Sequence, residues 1–181
     1  LFPCRDGDRR PLDHRVDAQL STRRLRIAKY RGSAHGTNEY PFLIQRDGIN
    51  LIPITAIGVA SRATTERVTT GIPRLDTMFD GQGVYADNSV LITGTAGTGK
   101  TTLVSHAVDA ACRAGRRATF FAFEESVPQI LRNLRSVGID LGPWQESGLL
   151  RFHASRPDLC GLEMHLLTIQ AEVASFEPAV V

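Results

Sequence analysis

Hydrophobic and polar positions follow two different patterns along this 181-residue chain, and the change falls near Arg67. Before Arg67, apolar residues alternate with polar ones in short runs bounded by turn residues, which predicts strands. The predicted strands cover residues 24–28, 40–44 and 49–54, with turns at 31–38 and at Asp47-Gly48. No run in this part has a helical period, so the pattern predicts a small β-hairpin unit.

From Arg67 onward, strand-like runs alternate with helix-like runs, which predicts a parallel sheet with crossover helices and therefore an α/β fold. The predicted strands cover residues 89–93, 117–123 and 149–154, and a further apolar strand begins at Ala179. The run at 117–123 is almost wholly apolar, as in a strand covered on both faces of its sheet. Between the two parts, residues 60–66 are rich in Ser and Thr and form the predicted linker.

Three helices are predicted in this second part. The first begins at Lys100, and its predicted apolar face comprises Leu103, Val104, Ala107, Val108 and Ala111, with Ser105, His106, Asp109 and Arg113 on the polar face. The second opens with a capping box at residues 126–129 and ends at Gly138. Its predicted inward residues are Ile130, Leu131, Leu134 and Val137. The third is marked by Leu162, Leu166, Ile169 and Val173.

The sequence ahead of the first helix is GTAGTGKT, which matches the phosphate-loop pattern G-x-x-x-x-G-K-[ST] in full. Such a loop points successive backbone N–H groups at phosphate oxygens, which requires residues without a Cβ clash. Lys100 would place its ammonium against the β- and γ-phosphates, and Thr101 would offer its hydroxyl to Mg²⁺. The candidate nucleotide-binding residues are Gly94, Thr95, Ala96, Gly97, Thr98, Gly99, Lys100, Thr101 and Thr102.

Two adjacent carboxylates, Glu124 and Glu125, follow the predicted strand at 117–123. Ligands of open parallel sheets bind at the carboxyl ends of the strands, where the phosphate loop also falls. A glutamate there could orient or deprotonate the water that attacks a γ-phosphate. Alternatively, both acids only supply favourable negative charge at the N-terminus of the next helix. We take Glu124 and Glu125 as candidate catalytic residues, and Thr101 and Glu124 as candidate Mg²⁺ ligands.

Composition and charge limit the classes of function. The chain has 42% hydrophobic and 22% charged residues, as in an ordinary globular protein. Its net charge is +2, and the basic residues near the N-terminus are interleaved with acidic ones, so we do not expect a nucleic-acid partner. Three cysteines without a C-x-x-C pair argue against a disulfide framework or a zinc site and fit a reducing, cytoplasmic setting. No signal peptide and no apolar run of about 20 residues occurs, so we expect no membrane association.

The two ends of the chain indicate a piece of a longer protein. The chain begins on Leu1 rather than Met, and it stops at residues 178–181, where an apolar strand is beginning. In phosphate-loop NTPases such a strand usually ends in the acidic residue that holds Mg²⁺ through water, and that residue is not in this sequence. Residues 1–11 have little apolar periodicity, and we expect them to be poorly ordered.

Several segments together resemble the KaiC-type ATPases of the RecA-like class. They are RVTTGIPRLDTMF at 67–79, the loop GTAGTGKTT, FAFEES at 121–126 and LRNLRSVGIDL at 131–141. In addition, RRLRIAKYRGSAHGTNEYPF at 23–42 resembles the closing β segment of the first of the two tandem ATPase domains in that family. The motifs stand in the family's order. Two segments depart from it: residues 80–83 read DGQG in place of a Gly-rich turn, and residues 1–11 match nothing in the family.

The resemblance implies a fragment that spans the junction of two RecA-like P-loop ATPase domains. Residues 1–59 would be the C-terminal β segment of a preceding domain, and residues 67–181 the N-terminal half of the next. The resemblance also implies ATP and Mg²⁺ as ligands, slow ATP hydrolysis, a homo-hexameric ring, and clock or signalling proteins as partners. The family's autophosphorylated Ser/Thr pair would lie beyond Val181, so serine/threonine autokinase activity would belong to the full-length protein.

The resemblance assigns roles to individual residues as well. It matches Glu124 and Glu125 to the family's catalytic pair and Thr101 to its Mg²⁺ ligand. Residues Ser136 and Val137 fall where the base and ribose are approached.

A second set of residues comes from the N-terminal part. Lys29, Arg31 and His35 match a K-x-R-G-x-x-H segment that, in the family, reaches a nucleotide held by the first domain of the adjacent subunit. Without the resemblance, Lys29 and Arg31 are explained equally well as a solvated strand face.

Two functions from other classes compete with a KaiC-like ATPase. RecA-like sheets also serve DNA-dependent ATPases such as recombinases, but residues 67–181 lack the interleaved aromatic and basic residues of a stacking platform. A nucleotide-gated scaffold that binds ATP without turnover would keep the same phosphate loop. DNA-stimulated hydrolysis would favour the first alternative, and the absence of phosphate release would favour the second.

Overall fold

The computed structural model of the chain describes residues 12–17, 20–32, 34–45, 48–51, 63–156 and 161–181. The chain divides into two compact units. The first comprises Leu1–Ala60 and Pro157–Ala171, and the second comprises Ser61–Arg156 and Glu172–Val181. Residues 1–11, which we expected to be poorly ordered, lie outside the described residues. So do positions 60–62 of the predicted linker.

The first unit contains a four-stranded antiparallel sheet with the strand order β1-β2-β3-β4. Its strands are β1 (Leu12–Asp17), β2 (Leu20–Arg26), β3 (Glu39–Gln45) and β4 (Gly48–Leu51). The pairing runs from Leu12↔Leu25 to Asp17↔Leu20 between β1 and β2, and from Phe42↔Leu51 to Gln45↔Gly48 between β3 and β4. The strands predicted at 24–28 and 40–44 are confirmed with shifted ends. The strand predicted at 49–54 is β4 as far as Leu51, and its remainder lies outside the described residues, as does Asp47 of the predicted turn.

The remaining elements produce a mixed α/β architecture. In chain order they are β5 (Arg67–Val68), α1 (Pro73–Asp76), a 3₁₀ turn (Thr77–Phe79), β6 (Val84–Tyr85), α2 (Lys100–Arg113), β7 (Ala118–Ala122), α3 (Val127–Arg135), α4 (Gly142–Glu146), β8 (Leu150–Ala154) and α5 (Leu162–Phe176). β5 and β6 form an antiparallel ribbon, whereas β7 and β8 are parallel and in register from Ala118↔Leu150 to Ala122↔Ala154. Val180 makes a parallel bridge with Ala118 and accepts the Thr119 N–H at 2.9 Å. Parallel strands joined through helices make this a partial RecA-like α/β fold, as the sequence predicted.

One predicted strand is not formed. Residues 88–95 have no regular secondary structure, and Val90 and Leu91 are 60% and 87% exposed. A strand exists only where a neighbouring strand pairs with it, and no described residue pairs with residues 89–93. The prediction of a strand at 89–93 was therefore wrong for this structure, because β-prone apolar composition does not supply a pairing partner.

The core of the second unit lies among α2, α3, the β7–β8 pair and the segment leading into α4. Its buried apolar residues are Val108, Cys112, Ala118, Ala122, Ile130, Leu134, Ile139, Leu141 and Leu150. Burial of apolar surface contributes about 25 cal/mol per Å² and is the main force holding these elements together. β7 is central to this cluster, which agrees with its almost wholly apolar sequence.

Two predicted helix faces need correction. Ser105 was assigned to the polar face of α2 but is fully buried, while Val104 was assigned to the apolar face and is 38% exposed. Burial of Ser105 is tolerated because its hydroxyl donates to the Thr101 carbonyl at 2.7 Å, one helical turn back. Val137 was expected to point inward and is 56% exposed. It lies beyond the last helical residue of α3, Arg135, so the helical spacing no longer sets its direction.

The described cysteine is a core residue. Cys112 on α2 is free and buried. Burial, together with the negative charge of Asp109, raises the pKa of the Cys112 thiol to about 11. The thiol therefore stays protonated at neutral pH and behaves as a small apolar side chain. Cys4 and Cys160 lie outside the described residues.

Candidate nucleotide site

The phosphate loop leads directly into α2, and its glycines are required for separate reasons. Gly97 and Gly99 have φ angles of 80° and 84°, in the left-handed region that side chains rarely adopt. Gly94 has an ordinary backbone, but a Cβ there would lie 2.7 Å from the Thr98 Oγ1. The backbone of this loop can therefore approach a ligand more closely than a loop with side chains could.

The N-terminus of α2 suits an anion. Gly99 is the N-cap residue, and α2 continues for 14 residues with no acidic side chain in its first turn. The N–H groups of the first turn have no partners within the helix, and the helix dipole adds partial positive charge at the same end. Because no carboxylate in the first turn cancels it, this charge is available to a phosphate group.

Lys100 folds back over the loop. Its ammonium donates hydrogen bonds to the carbonyl oxygens of Gly94 and Thr95, both at 2.9 Å. The side chain therefore keeps its charge within the loop instead of extending into solvent. Lys100 also lines a cleft of about 590 Å³ together with Gly94, Thr98, Gly99 and Thr102. That volume lies in the range of small-molecule sites in proteins.

The rest of the cleft lining was not predicted from the sequence. It includes the apolar side chains of Ile72, Ile92 and Leu103, as well as His106. Ile72 is placed there by Gly71, whose backbone packs so closely on α2 that a Cβ would meet the His106 carbonyl oxygen at 2.3 Å. Its φ of 77° also favours glycine.

Asp76 stabilises the segment that contains Gly71 and Ile72 by accepting hydrogen bonds from the residues just before it. Its carboxylate accepts the Thr70 N–H at 2.9 Å and the Thr70 hydroxyl at 2.6 Å, and it also accepts the Thr69 hydroxyl. Burial acts to raise the pKa of Asp76, but the hydrogen bonds from Thr69 and Thr70 outweigh it and hold that pKa below its ordinary value. In the sequence, this cluster is marked by Thr-Thr-Gly ahead of a proline that starts a helix.

The candidate catalytic pair follows β7 as predicted. Glu124 and Glu125 are both exposed and directly follow Phe123. The capping box at the start of α3 is formed: the Gln129 Oε1 accepts the Ser126 N–H at 3.0 Å and the Ser126 hydroxyl at 2.6 Å. Neither glutamate is among the described residues that line the cleft. Their catalytic role stays a prediction.

The remaining candidates are not among the residues that line the cleft. Ser136 and Val137 follow α3, both exposed, and the Ser136 hydroxyl donates to the Asn133 carbonyl at 2.7 Å. The other three belong to the first unit. There Lys29 and Arg31 are exposed, while His35 is half-buried and meets the Tyr30 ring edge-on, with 6.4 Å between the ring centroids.

In the described ranges, no helix combines the length and hydropathy needed to cross a lipid bilayer.

A parallel strand pair flanked by helices, with a complete G-x-x-x-x-G-K-T loop at the start of α2, defines a P-loop protein of the RecA-like class. A family model described as "ATPase: KaiC" matches residues 68–169. The chain belongs to this KaiC family.

Named relatives agree with this assignment. The chain is 48% identical over 170 residues to the "Circadian clock protein KaiC2" of Synechocystis sp., an alignment that covers 94% of the chain and 30% of that protein. It is 43% identical over 164 residues to the "Circadian clock oscillator protein KaiC" of Acaryochloris marina, covering 91% of the chain and 31% of that protein. Against the "Circadian clock oscillator protein KaiC" of Synechococcus elongatus the identity is 42%, with the same two coverages of 91% and 31%. The chain thus spans less than a third of the length of these relatives.

Proposed function

We propose that this chain carries the phosphate-binding part of a KaiC-like ATPase that binds ATP with Mg²⁺ and hydrolyses it slowly. The phosphate loop is the observation that carries the proposal. Its left-handed glycines, the folded-back Lys100 and the acid-free N-terminus of α2 together form a cradle for a polyphosphate. The relatives' names support a role in circadian timing.

The residues present fit Mg²⁺ as a companion of the nucleotide. Thr101, in the first turn of α2, is exposed and offers a hydroxyl, and we assign Glu124 as the second candidate ligand. Within the described part of the chain, no three His, Cys, Asp or Glu side chains are grouped so that they could hold a metal. This donor set suits an ion that takes most of its ligands from phosphate oxygens and water. When bound, Mg²⁺ neutralises charge on the β- and γ-phosphates.

The proposed reaction is hydrolysis of the γ-phosphate. The oxygen of a water molecule bonds to the γ-phosphorus while the bond from that phosphorus to the β–γ bridging oxygen breaks, giving ADP and phosphate. A proton leaves the attacking water, and Glu124 or Glu125 accepts it before it passes to the phosphate. Lys100 lies where its charge would offset the charge on the departing β-phosphate.

The larger assembly is part of the same proposal. Residues 1–59 would close a preceding ATPase domain, and residues 67–181 would open the next. Lys29, Arg31 and His35 would then reach a nucleotide of the adjacent subunit in a homo-hexamer, while Ser136 and Val137 would approach the base and ribose. We further propose that the full-length protein carries the serine/threonine autokinase activity and binds clock or signalling proteins.

The first test is Lys100→Ala in the full-length protein. We expect the affinity for ATP to fall at least tenfold and ATP-dependent assembly to be lost, because no other described side chain places a charge in the loop. Titration of a fluorescent ATP analogue and light scattering with and without ATP measure the two effects. Arg113→Ala is the matched control, because it removes one positive charge at the far end of α2. Unchanged affinity and oligomer size in Lys100→Ala would refute the proposal.

Measurements of ATP turnover distinguish the proposed function from the two competing ones, a nucleotide-gated scaffold and a recombinase-like motor. Phosphate release followed over hours, with Glu124→Gln and Glu125→Gln beside the wild type, distinguishes a slow enzyme from a nucleotide-gated scaffold. Release that increases when single-stranded DNA is added, with salt-sensitive DNA binding, would instead indicate a recombinase-like motor.

A further inference from the structure

The two glutamates after β7 have different surroundings. The carboxylate of Glu125 accepts a hydrogen bond from the side-chain amide of Asn133, with 3.2 Å between Nδ2 and Oε2. Among the described residues, none donates a hydrogen bond to the carboxylate of Glu124. Two adjacent and chemically identical side chains are therefore held differently, one tied to α3 and the other not.

Arg132 orients the amide of Asn133. The Nε and Nη2 atoms of Arg132 donate to the Oδ1 of Asn133 at 3.4 and 3.3 Å. Because a guanidinium has only donors, it can bond only the oxygen of the amide. The amide nitrogen is left to face Glu125, so the three side chains form a directed chain from guanidinium through carboxamide to carboxylate.

Asn133 stands on a well-anchored part of α3. On either side of it in sequence, Ile130 and Leu134 are each only 2% exposed and belong to the core. The N-terminus of the helix is fixed by the capping box between Ser126 and Gln129. A side chain that is attached to packed backbone can hold a neighbouring group in one geometry, which a loop residue does less well.

We propose that Asn133, with Arg132 behind it, is a positioning residue that fixes the Glu125 carboxylate for ATP hydrolysis. The inference rests on the proposed function, since it gives Asn133 a role at the same site. Asn133 acts through Glu125 and is not among the residues that line the cleft. Loss of its hydrogen bond therefore slows the chemical step and leaves nucleotide binding unchanged.

The test compares variants of the full-length protein by steady-state ATP hydrolysis. Asn133→Ala is expected to lower kcat roughly 3- to 10-fold with KM unchanged, the range that one net hydrogen bond supports. Asn133→Gln keeps a carboxamide and is expected to restore most of kcat. Arg135→Ala is the matched control on the same helix, since it removes a comparable surface contact, from Arg135 Nε to Asp140 Oδ1 at 3.0 Å, and should leave kcat unchanged.

A second comparison separates positioning from a structural role. In the Glu125→Gln background, Asn133→Ala is expected to cause no further loss of residual turnover, because both changes remove the same oriented carboxylate. A further loss of the residual rate, or a kcat for Asn133→Ala equal to that of the wild type, would overturn the inference. So would an equal loss of kcat in Arg135→Ala, which would point to general loosening of α3.

Failure of the proposed function gives a different result. If the wild type binds ATP but releases no phosphate, the chain is a scaffold and both proposals are wrong. If the wild type turns over and Glu125→Gln slows it, while Asn133→Ala does not, only the role of Asn133 is wrong.

Discussion

At the scale of single residues, Asp76 shows how one buried charge organises a segment beside the candidate site. The residue is 7% exposed, and its carboxylate accepts hydrogen bonds from both Thr69 and Thr70. A buried carboxylate is tolerated only when such donors replace its lost water. Because Gly71 then packs on α2 and Ile72 lines the cleft, Asp76 influences the site from outside it.

Removal of this carboxylate should destabilise the second unit. Asp76→Ala leaves the Thr70 N–H and two hydroxyls without their acceptor, and we expect a loss of about 2 kcal/mol in the free energy of unfolding. Urea unfolding followed by the fluorescence of Trp144, the single tryptophan of the chain, measures it. Asp80→Asn, which removes a charge that is 91% exposed and keeps a side chain that tolerates the left-handed backbone at φ 55°, is the control and should change stability little.

The same residue predicts a pH dependence. Because the folded state lowers the pKa of Asp76, its stabilising effect is complete above the ordinary pKa of 3.8 and is lost as the pH falls through the lower folded-state value. Asp76→Asn cannot titrate, so we expect its stability to fall less than that of the wild type between neutral pH and about pH 3. If the free energy of unfolding falls with pH equally steeply in the wild type and in Asp76→Asn, this assignment is contradicted.

At the scale of elements, a side-chain contact joins the phosphate-loop helix to its neighbour. The Trp144 indole N–H on α4 donates to the Asp109 Oδ1 on α2 at 2.7 Å. The other oxygen of Asp109 accepts from Arg113 Nε, also at 2.7 Å, within α2. Trp144 also packs against the core cluster. The partner of Trp144 lies 35 positions away in the chain, so local sequence patterns do not indicate this contact.

The two hydrogen bonds of Asp109 should contribute unequally to the free energy of unfolding. Asp109→Ala leaves a partly buried indole N–H without an acceptor, and we expect a loss of about 1.5 kcal/mol. Arg113→Ala removes only the pair on the solvent side, where Arg113 is 71% exposed, and should cost at most about 0.5 kcal/mol. Urea unfolding of both variants gives the comparison. Equal losses would show that the ion pair, and not the contact with Trp144, is the stabilising interaction.

At the scale of the whole molecule, the nucleotide is expected to stabilise the unit that binds it. At an ATP concentration of 100 times Kd, linkage predicts about 2.7 kcal/mol of added stability, seen as a rise in Tm of the full-length protein with Mg²⁺ and ATP. Lys100→Ala should lose this rise, while Arg113→Ala should keep it. If the Tm of Lys100→Ala rises as much as that of the wild type, ATP binds elsewhere in the protein.

Local features of the second unit could be predicted well from the sequence. The phosphate loop, the start of α2, the capping box of α3 and the apolar strand β7 depend on neighbouring residues, and their signals lie within a few positions. The strand at 89–93 could not be predicted in this way, because its existence depends on pairing with a distant segment. The inward direction assigned to Val137 failed similarly, since α3 ends at Arg135 and the helical period stops with it.

The sequence by itself determined the phosphate-loop motif and the family, because such a loop is a local backbone shape and its glycines, lysine and threonine are adjacent in the chain. Only the tertiary structure decided what surrounds that loop. Three contacts join residues that local patterns treat separately. They are the hydrogen bonds from Thr69 and Thr70 to Asp76, the close packing of Gly71 on α2, and the hydrogen bond from Asn133 to Glu125. Hydrogen bonds and close packing depend on distances in space, and the folding of the chain sets those distances.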